Sequence, residues 1–375
     1  MLRCSTELHL LNAILISTSW AFLSACSDDN LAKTGAQSKI LSTQQDANES
    51  DNDSSEKPED FASITKSLAA LQTIGVLSGE ALELLSAAIE ISPKQAAEWA
   101  ATLPPGLNKD ACLEIVFNNW SQNAPKDAAQ FAKTHLKGVD FRLALASVVE
   151  GSASSSPESA VALLASESEP LLRSVLIDSL VSGAIDDNSE FLAEWAAALP
   201  PGNEREKAIG SLVEKWATRR PEECEKWLTR TLTTEEKNEQ AVILITNWAS
   251  LNPRAARAWV DAQTNPELKE NTSIALVESW AFVDPASASQ WATGLQDPVL
   301  KKSTLETVAV AWIVNDTAGA VEWASKLPDT SLQQTALRAA FERLAEESPA
   351  ALKYWIQKNP GHQALFFAQT ALAEQ

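Results

Sequence analysis

Residues 221–253 read PEECEKWLTRTLTTEEKNEQAVILITNWASLNP, and their last residue, Pro253, opens the same pattern again. Trp227 and Trp248 stand six and twenty-seven places after Pro221, and Trp259 and Trp280 stand at the same distances from Pro253. Carried outward in steps of 32, the series has Pro at 93, 125, 157, 221, 253, 285 and 349, with Ser189 and Thr317 in the two remaining places. The sixth place after each start holds Trp99, Phe131, Leu163, Trp195, Trp227, Trp259, Trp291, Trp323 and Trp355. The twenty-seventh holds Trp120, Ser152, Ala184, Trp216, Trp248, Trp280, Trp312 and Leu344. Apart from Trp20, every Trp falls in one of these two columns. A fixed period of this length settles the architecture before any local reading, because each unit is one supersecondary element.

The element is a helical hairpin. The residue before each start is Ser92, Ala124, Ser156, Asn188, Arg220, Asn252, Asp284, Asp316 or Ser348. Seven of these nine are good N-caps, and Pro at the first helical position has no N–H to leave unpaired. Ala96, Trp99, Ala100 and Leu103 are spaced for one face of a short first helix, which Pro104, Pro105 and Gly106 then break. Ile209, Leu212, Val213 and Trp216 show the same spacing in a second helix. One hairpin cannot bury two apolar faces alone, so neighbours must stack. The sequence therefore predicts an all-α fold, an α-solenoid of about nine 32-residue hairpins over 93–375, with 61–92 as a degenerate helical N-terminal cap.

Ahead of this array the composition changes twice. Residues 1–25 carry Arg3, a mostly apolar stretch from Leu8 to Phe22, and then Leu23, Ser24 and Ala25 before Cys26. This end resembles the bacterial lipobox. The resemblance implies lipidation of Cys26, cleavage after Ala25, and attachment to the membrane through that lipid, with Ser27 pointing to an outer membrane facing the periplasm if the cell is Gram-negative. Residues 27–60 hold nine acids, three Lys and almost no large apolar side chain, which is the composition of a disordered tether. Its ends should lie about 30 Å apart on average.

The repeat array resembles tetratricopeptide and related helical-hairpin solenoids, although its period is 32 and its signature is Pro, Ala and Trp rather than the tetratricopeptide consensus. The resemblance implies the fold and the habit of binding proteins or peptides. It carries over no site residue.

A formal charge of −20 and a pI near 4.6 exclude nucleic acid, whose phosphates require clustered cations. After processing, His135 and His362 are the only His, and Cys112 and Cys224 the only unlipidated thiols. All are far apart, so neither a metal site nor a disulfide is expected. No phosphate loop, GxSxG or HExxH is present, and no acid stands out as one of a catalytic pair. No cofactor is implied, and the chain reads as a non-enzyme.

Three features admit a functional reading. The twelve Trp suit either a core, one packing knob per hairpin, or a glycan surface. Sixteen places after successive starts stand Lys109, Phe141, Arg173, Arg205, Lys237, Lys269, Lys301 and Gln333. The six cations form either a solvated flank or a binding ladder for an acidic peptide or anionic polymer. Repeats two and three (125–188) lose both Trp columns and gain Gly138, Gly151 and Gly183. They read as a locally loosened hinge or groove, or as drift in a tolerant array. The leading expectation is a tethered scaffold that binds an envelope protein or peptide. The alternative is a glycan-binding or glycan-processing lipoprotein.

Overall fold

The junctions between repeats set the architecture. At most of them a long helix ends, a single residue turns the chain, and a short helix begins, as at 234–251, Asn252 and Pro253–Asp261; residues 185–188 and 218–220 make longer turns before the helices at 189 and 221. Pro253 disfavours helical geometry at the residue before it, and Asn252 accordingly sits at φ −146°, ψ 79°. Its N–H still closes the preceding helix on the Trp248 carbonyl at 2.7 Å, and its carbonyl accepts the Ala256 N–H at 3.1 Å. Asp284 and Asp316 hold nearly the same conformation, the latter without a following Pro. Ser92, Asn252, Asp284 and Asp316 cap their short helices through the side chain. Ser156 instead bonds the Ser159 hydroxyl, and Arg220 reaches back to the Ile185 and Asp186 carbonyls of the previous repeat. Asn188 and Ser348 make no side-chain cap, for which the structure offers no reason.

The computed structural model describes residues 60–71 and 78–374, all within the compact unit Pro58–Gln375. The expected signal segment 1–25, Cys26 and the tether up to 59 lie outside the described residues. Among the described residues the fold is all-α. Short helices begin at 93, 125, 157, 189, 221, 253, 285, 317 and 349, and a longer helix follows each, from Leu107–Asn123 through Thr330–Glu347 to the shorter Leu365–Ala373. Two helices, Phe61–Leu71 and Gly79–Ile91, precede them. Within a repeat the turn is made by Pro-Pro-Gly in repeats one and four, where Gly106 and Gly202 take φ 144° and 139°, a region that favours Gly. The later long helices start on Thr233, with a full capping box, and on Asn265, Asp297 and Asp329.

Packing runs between sequence neighbours. Each long helix lies against the long helix of the next repeat, and each short helix against the long helices on either side of it. Short helices touch one another appreciably only between repeats two and three. This is the nearest-neighbour connectivity of a helical-repeat array.

The core is a set of columns. The third place after each start holds Ala96, Ala128, Ala160, Leu192, Cys224, Ala256, Ala288, Ala320 and Leu352, every one of them buried. Trp216, Trp227, Trp248, Trp280, Trp291 and Trp355 are buried, and Trp99, Trp120, Trp195, Trp259, Trp312 and Trp323 are half-buried against the same core. Aromatic pairs bridge the junctions: Trp216 with Trp227, Trp280 with Trp291, and Trp312 with Trp323 have ring centroids 5.9, 6.5 and 5.6 Å apart. Cys112 and Cys224 are free and buried.

Of the two readings that the sequence left open for repeats two and three, the loosened one does not hold. Gly151 and Gly183 sit where long helices cross closely: a Cβ on Gly151 would overlap the Asn118 carbonyl, and one on Gly183 the Glu150 carbonyl. Ser152 and Ala184, in the Trp column, are fully buried. Small residues here bring helix backbones together instead of leaving space.

Candidate functional site

The members of the cation column sit where each long helix starts, beneath the C-terminus of the short helix before it. Arg173 donates to the Leu164 and Glu167 carbonyls at 2.8 and 2.9 Å, and Arg205 to the Ala196 and Leu199 carbonyls at 3.3 and 3.1 Å. Lys269 reaches the Asp261 carbonyl at 3.1 Å, and Gln333 the Leu327 carbonyl at 2.6 Å. These are the unpaired carbonyls and negative dipole end of the short helix, which favour a cation.

Three members also pair across to the next repeat. Lys109 meets Asp140 at 2.7 Å, Arg173 meets Glu204, and Arg205 meets Glu236 at 2.6 Å. The acids share one column, fifteen places after a start. Where that column holds Leu instead (Leu172, Leu268, Leu300 and Leu332), the facing member is Phe141, Lys237, Lys269 or Lys301. Lys237, Lys269 and Lys301 are half-buried and have no acid within 4.0 Å among the described residues. The ladder is thus divided: Lys109, Arg173 and Arg205 join repeats together, while the rungs of repeats five to seven keep their charge unpaired. Arg205 and the bonds to Thr233 hold the Glu236 carboxyl below the usual carboxylate range.

An open space of about 1340 Å³ lies between the short helices of repeats six and seven. Helix Pro253–Asp261 turns Arg254, Arg257, Ala258 and Asp261 toward it, and helix Pro285–Gly294 turns Ser287, Gln290, Trp291 and Gly294. Both sets are spaced for a single helix face. Lys269, Glu270 and Asp297 stand at the loop end.

The sequence departs from the repeat on one wall of this space. The fourth place after a start is a small residue on the flank of the short helix in most repeats: Ala97, Ala129, Ala193 and Val321 are buried, and Val161 is half-buried. Repeats five, six and nine carry Glu225, Arg257 and Lys353 there, and Arg257 lines the space. Glu225 accepts the Trp259 indole N–H at 3.0 Å. Arg257 pairs with Asp261 at 3.1 Å, and the other Asp261 oxygen accepts the Trp291 N–H at 3.2 Å. Neither Arg254 nor Arg257 stood out in the sequence; this column, lined up, picks out Arg257.

The same repeats differ at the junction edge. Leu251, Phe282, Val283 and Val314, at the ends of three successive long helices, are exposed, Phe282 by 70%. Repeats one to four have Gln122, Asn123, Ser154, Ser155, Asp186, Asp187, Thr218 and Arg219 at those places.

A second recess, about 390 Å³, lies on the long helices of repeats one to three and is lined by Glu114, Asn118, Ser147, Glu150 and Ser179 among others. Burial and the charges of Asp110 and Glu150 push the Glu114 carboxyl up. Burial does the same for Glu150 against the pull of Lys215. No cluster of His, Cys, Asp and Glu with the makings of a metal site occurs among the described residues. The sequence matches no family model, and no curated protein and no solved structure is significantly similar to it.

Proposed function

We propose that this chain is a membrane-tethered, non-catalytic scaffold that binds a protein or peptide in the bacterial cell envelope through its helical-repeat surface. The anchor is the lipid expected on Cys26, and the acidic segment after it is the tether. The observation that carries the reading is the groove between repeats six and seven, where Arg257 stands in the place that holds a small packing residue in six of the nine repeats. Helical-hairpin arrays bind along such inter-helix grooves. The exposed strip of Leu251, Phe282, Val283 and Val314 supports a protein partner, because contiguous apolar surface marks interaction sites. The Trp residues support it too: six are buried and six are half-buried against the core, as packing residues are.

The test is photo-crosslinking in cells, with the reactive residue placed in turn at Gln290, Phe282 and Glu158. A discrete polypeptide adduct at Gln290 or Phe282, absent at Glu158, is the expected result. Absence of any polypeptide adduct at all three positions would overturn the scaffold reading.

The second reading, a glycan-binding or glycan-processing lipoprotein, rests on the recess that holds Glu114 and Glu150. It requires that Glu150→Gln abolish retention on, or cleavage of, cell-wall glycan.

A further inference from the structure

Resting on the scaffold reading, we infer that the exposed apolar strip of repeats five to seven, Leu251, Phe282, Val283 and Val314, takes a basic amphipathic helix of the partner. The repeat itself builds the strip. Leu251 and Val283 stand thirty places after their starts, and Phe282 and Val314 twenty-nine, so the four lie at the C-terminal ends of three successive long helices. Those helices pack in order, each on the next. Phe282, the middle and largest member, is also the most exposed of the four, and binding energy concentrates on large side chains near the centre of an interface.

Spacing selects the form of the occupant. Packed helices lie about 8–10 Å apart, so the strip advances by that distance from one repeat to the next. A helix laid across it covers about 10.5 Å in seven residues, and seven residues are about two turns, which returns an apolar side chain to the same face. An extended strand covers about 10 Å in three residues, and an odd step puts successive contacts on opposite faces. A heptad-spaced helix therefore sets one apolar residue on each repeat, and a strand does not.

Charge selects its sign. Residues 245–255, 277–287 and 309–319 carry the strip and the first turn of the helix after it. They hold three acids, Glu278, Asp284 and Asp316, and one cation, Arg254. The three acids are exposed and have no cation within 4.0 Å among the described residues. Glu278 lies one turn before Phe282 on the same helix face, and bonds from Ser287 hold the Asp284 carboxyl below the usual carboxylate range. The flanking repeats do not supply the missing cations. Repeat eight brings Glu342, Glu346 and Glu347 against Arg343, which pairs with the last two. Repeat four has three acids and three cations in 213–223, and its Arg219 and Arg220 reach back to Asp186 and the Ile185 carbonyl of repeat three. An apolar strip edged by unpaired carboxylates is complementary to a helix with one apolar face flanked by Lys or Arg.

The test uses the full chain and a fluorescein-labelled peptide of three heptads, with Leu in the first and fourth places of each and Lys and Ala elsewhere. Anisotropy compares it with a counterpart that has Glu for Lys. The Lys peptide should bind saturably and release as salt rises. Phe282→Gln should weaken it on the order of tenfold. Asp284→Asn combined with Asp316→Asn should weaken it by a similar factor and keep the junctions folded, because Asn252 already caps its helix from the same place. Phe366→Gln removes an almost equally exposed ring outside the strip and should leave binding unchanged. Equal binding of the Lys and Glu peptides, or full binding by Phe282→Gln or by the double Asn variant, would overturn the inference. So would equal weakening by Phe366→Gln, or retention on phosphatidylcholine vesicles that Phe282→Gln abolishes, which would make the strip a lipid contact. If the Lys peptide fails while a polypeptide adduct forms at Phe282 in cells, the scaffold reading stands and only the basic helix falls.

Discussion

Replacing Gly151 by Ala should destabilise the array, although the same change in an exposed helix interior stabilises by about 0.5–1 kcal/mol. Gly151 lies in helix 138–155, facing the Asn118 carbonyl of helix 107–123 so closely that an added methyl has no room. The obstacle is backbone, which cannot swing aside as a side-chain tip can, so the two long helices must separate along their contact. Overpacking of a fitted interface costs about 1–3 kcal/mol, and the backbone origin of this clash puts the expected net loss at about 2 kcal/mol. Gly210 is the internal control. Its Cβ would meet only the tip of Gln240, at 3.9 Å, and Ala146 already occupies the same column in repeat two, so Gly210→Ala should gain about 0.5–1 kcal/mol. Because a repeat array need not unfold in one step, the assay is amide hydrogen exchange across helices 107–123, 138–155 and 170–184, supported by thermal unfolding. Protection equal to or greater than the parent's in Gly151→Ala would refute the close-approach argument.

Arg205→Ala removes the pair with Glu236 and the bonds to the Ala196 and Leu199 carbonyls, and should cost about 1–3 kcal/mol by denaturant unfolding. Glu236, whose folded carboxyl titrates below its usual value, adds stability above the unfolded carboxylate pKa. That contribution is lost as pH falls through the depressed value, so Glu236→Gln should flatten the acid limb of the stability profile. Glu150 has the opposite sign: its raised carboxyl makes ionisation unfavourable in the fold, so Glu150→Gln should stabilise at pH 7 and do little at pH 4. Burial pushes the Cys112 thiol up to about 11 and raises Cys224 further, so neither should react with a maleimide at pH 7.5 until denaturant is added. Cys26→Ala should abolish incorporation of labelled fatty acid and release the protein from membranes.

The all-α fold was legible because its determinants are local. Pro253 at a helix start, Asn252 before it and Trp259 six places on describe one hairpin, and repetition supplies the rest. The interfaces were less legible, because what decides them stands 31 to 34 residues away. Gly151 read as loosening only while the Asn118 carbonyl opposite was unknown. The cation column read as six equal rungs, but the column fifteen places after each start, acidic at Asp140, Glu204 and Glu236 and Leu at 268, 300 and 332, splits it into interlocking and unpaired members. Arg254 and Arg257 were invisible for the converse reason: attention to what recurs in the columns passes over the residue that departs from one.

Those departures concentrate in one part of the array. Repeats five to seven lose the inter-repeat acid of the cation column, put Glu225 and Arg257 into a packing column, and expose Leu251, Phe282, Val283 and Val314 where repeats one to four are polar. The lost acids remove inter-repeat pairs and the exposed side chains add apolar surface, and neutral drift would scatter such changes along a repeat array whose units are energetically alike. Their coincidence on three consecutive repeats, beside the groove of about 1340 Å³, is what selection for a bound partner produces. It also predicts an order of stability: without that partner, hydrogen exchange should be faster in helices 253–261 and 285–294 than in helices 125–135 and 157–165, whose short helices pack on one another. Slower exchange in repeats six and seven than in repeats two and three would show that the charged groove carries no stability cost, and would remove the ground for reading it as a site.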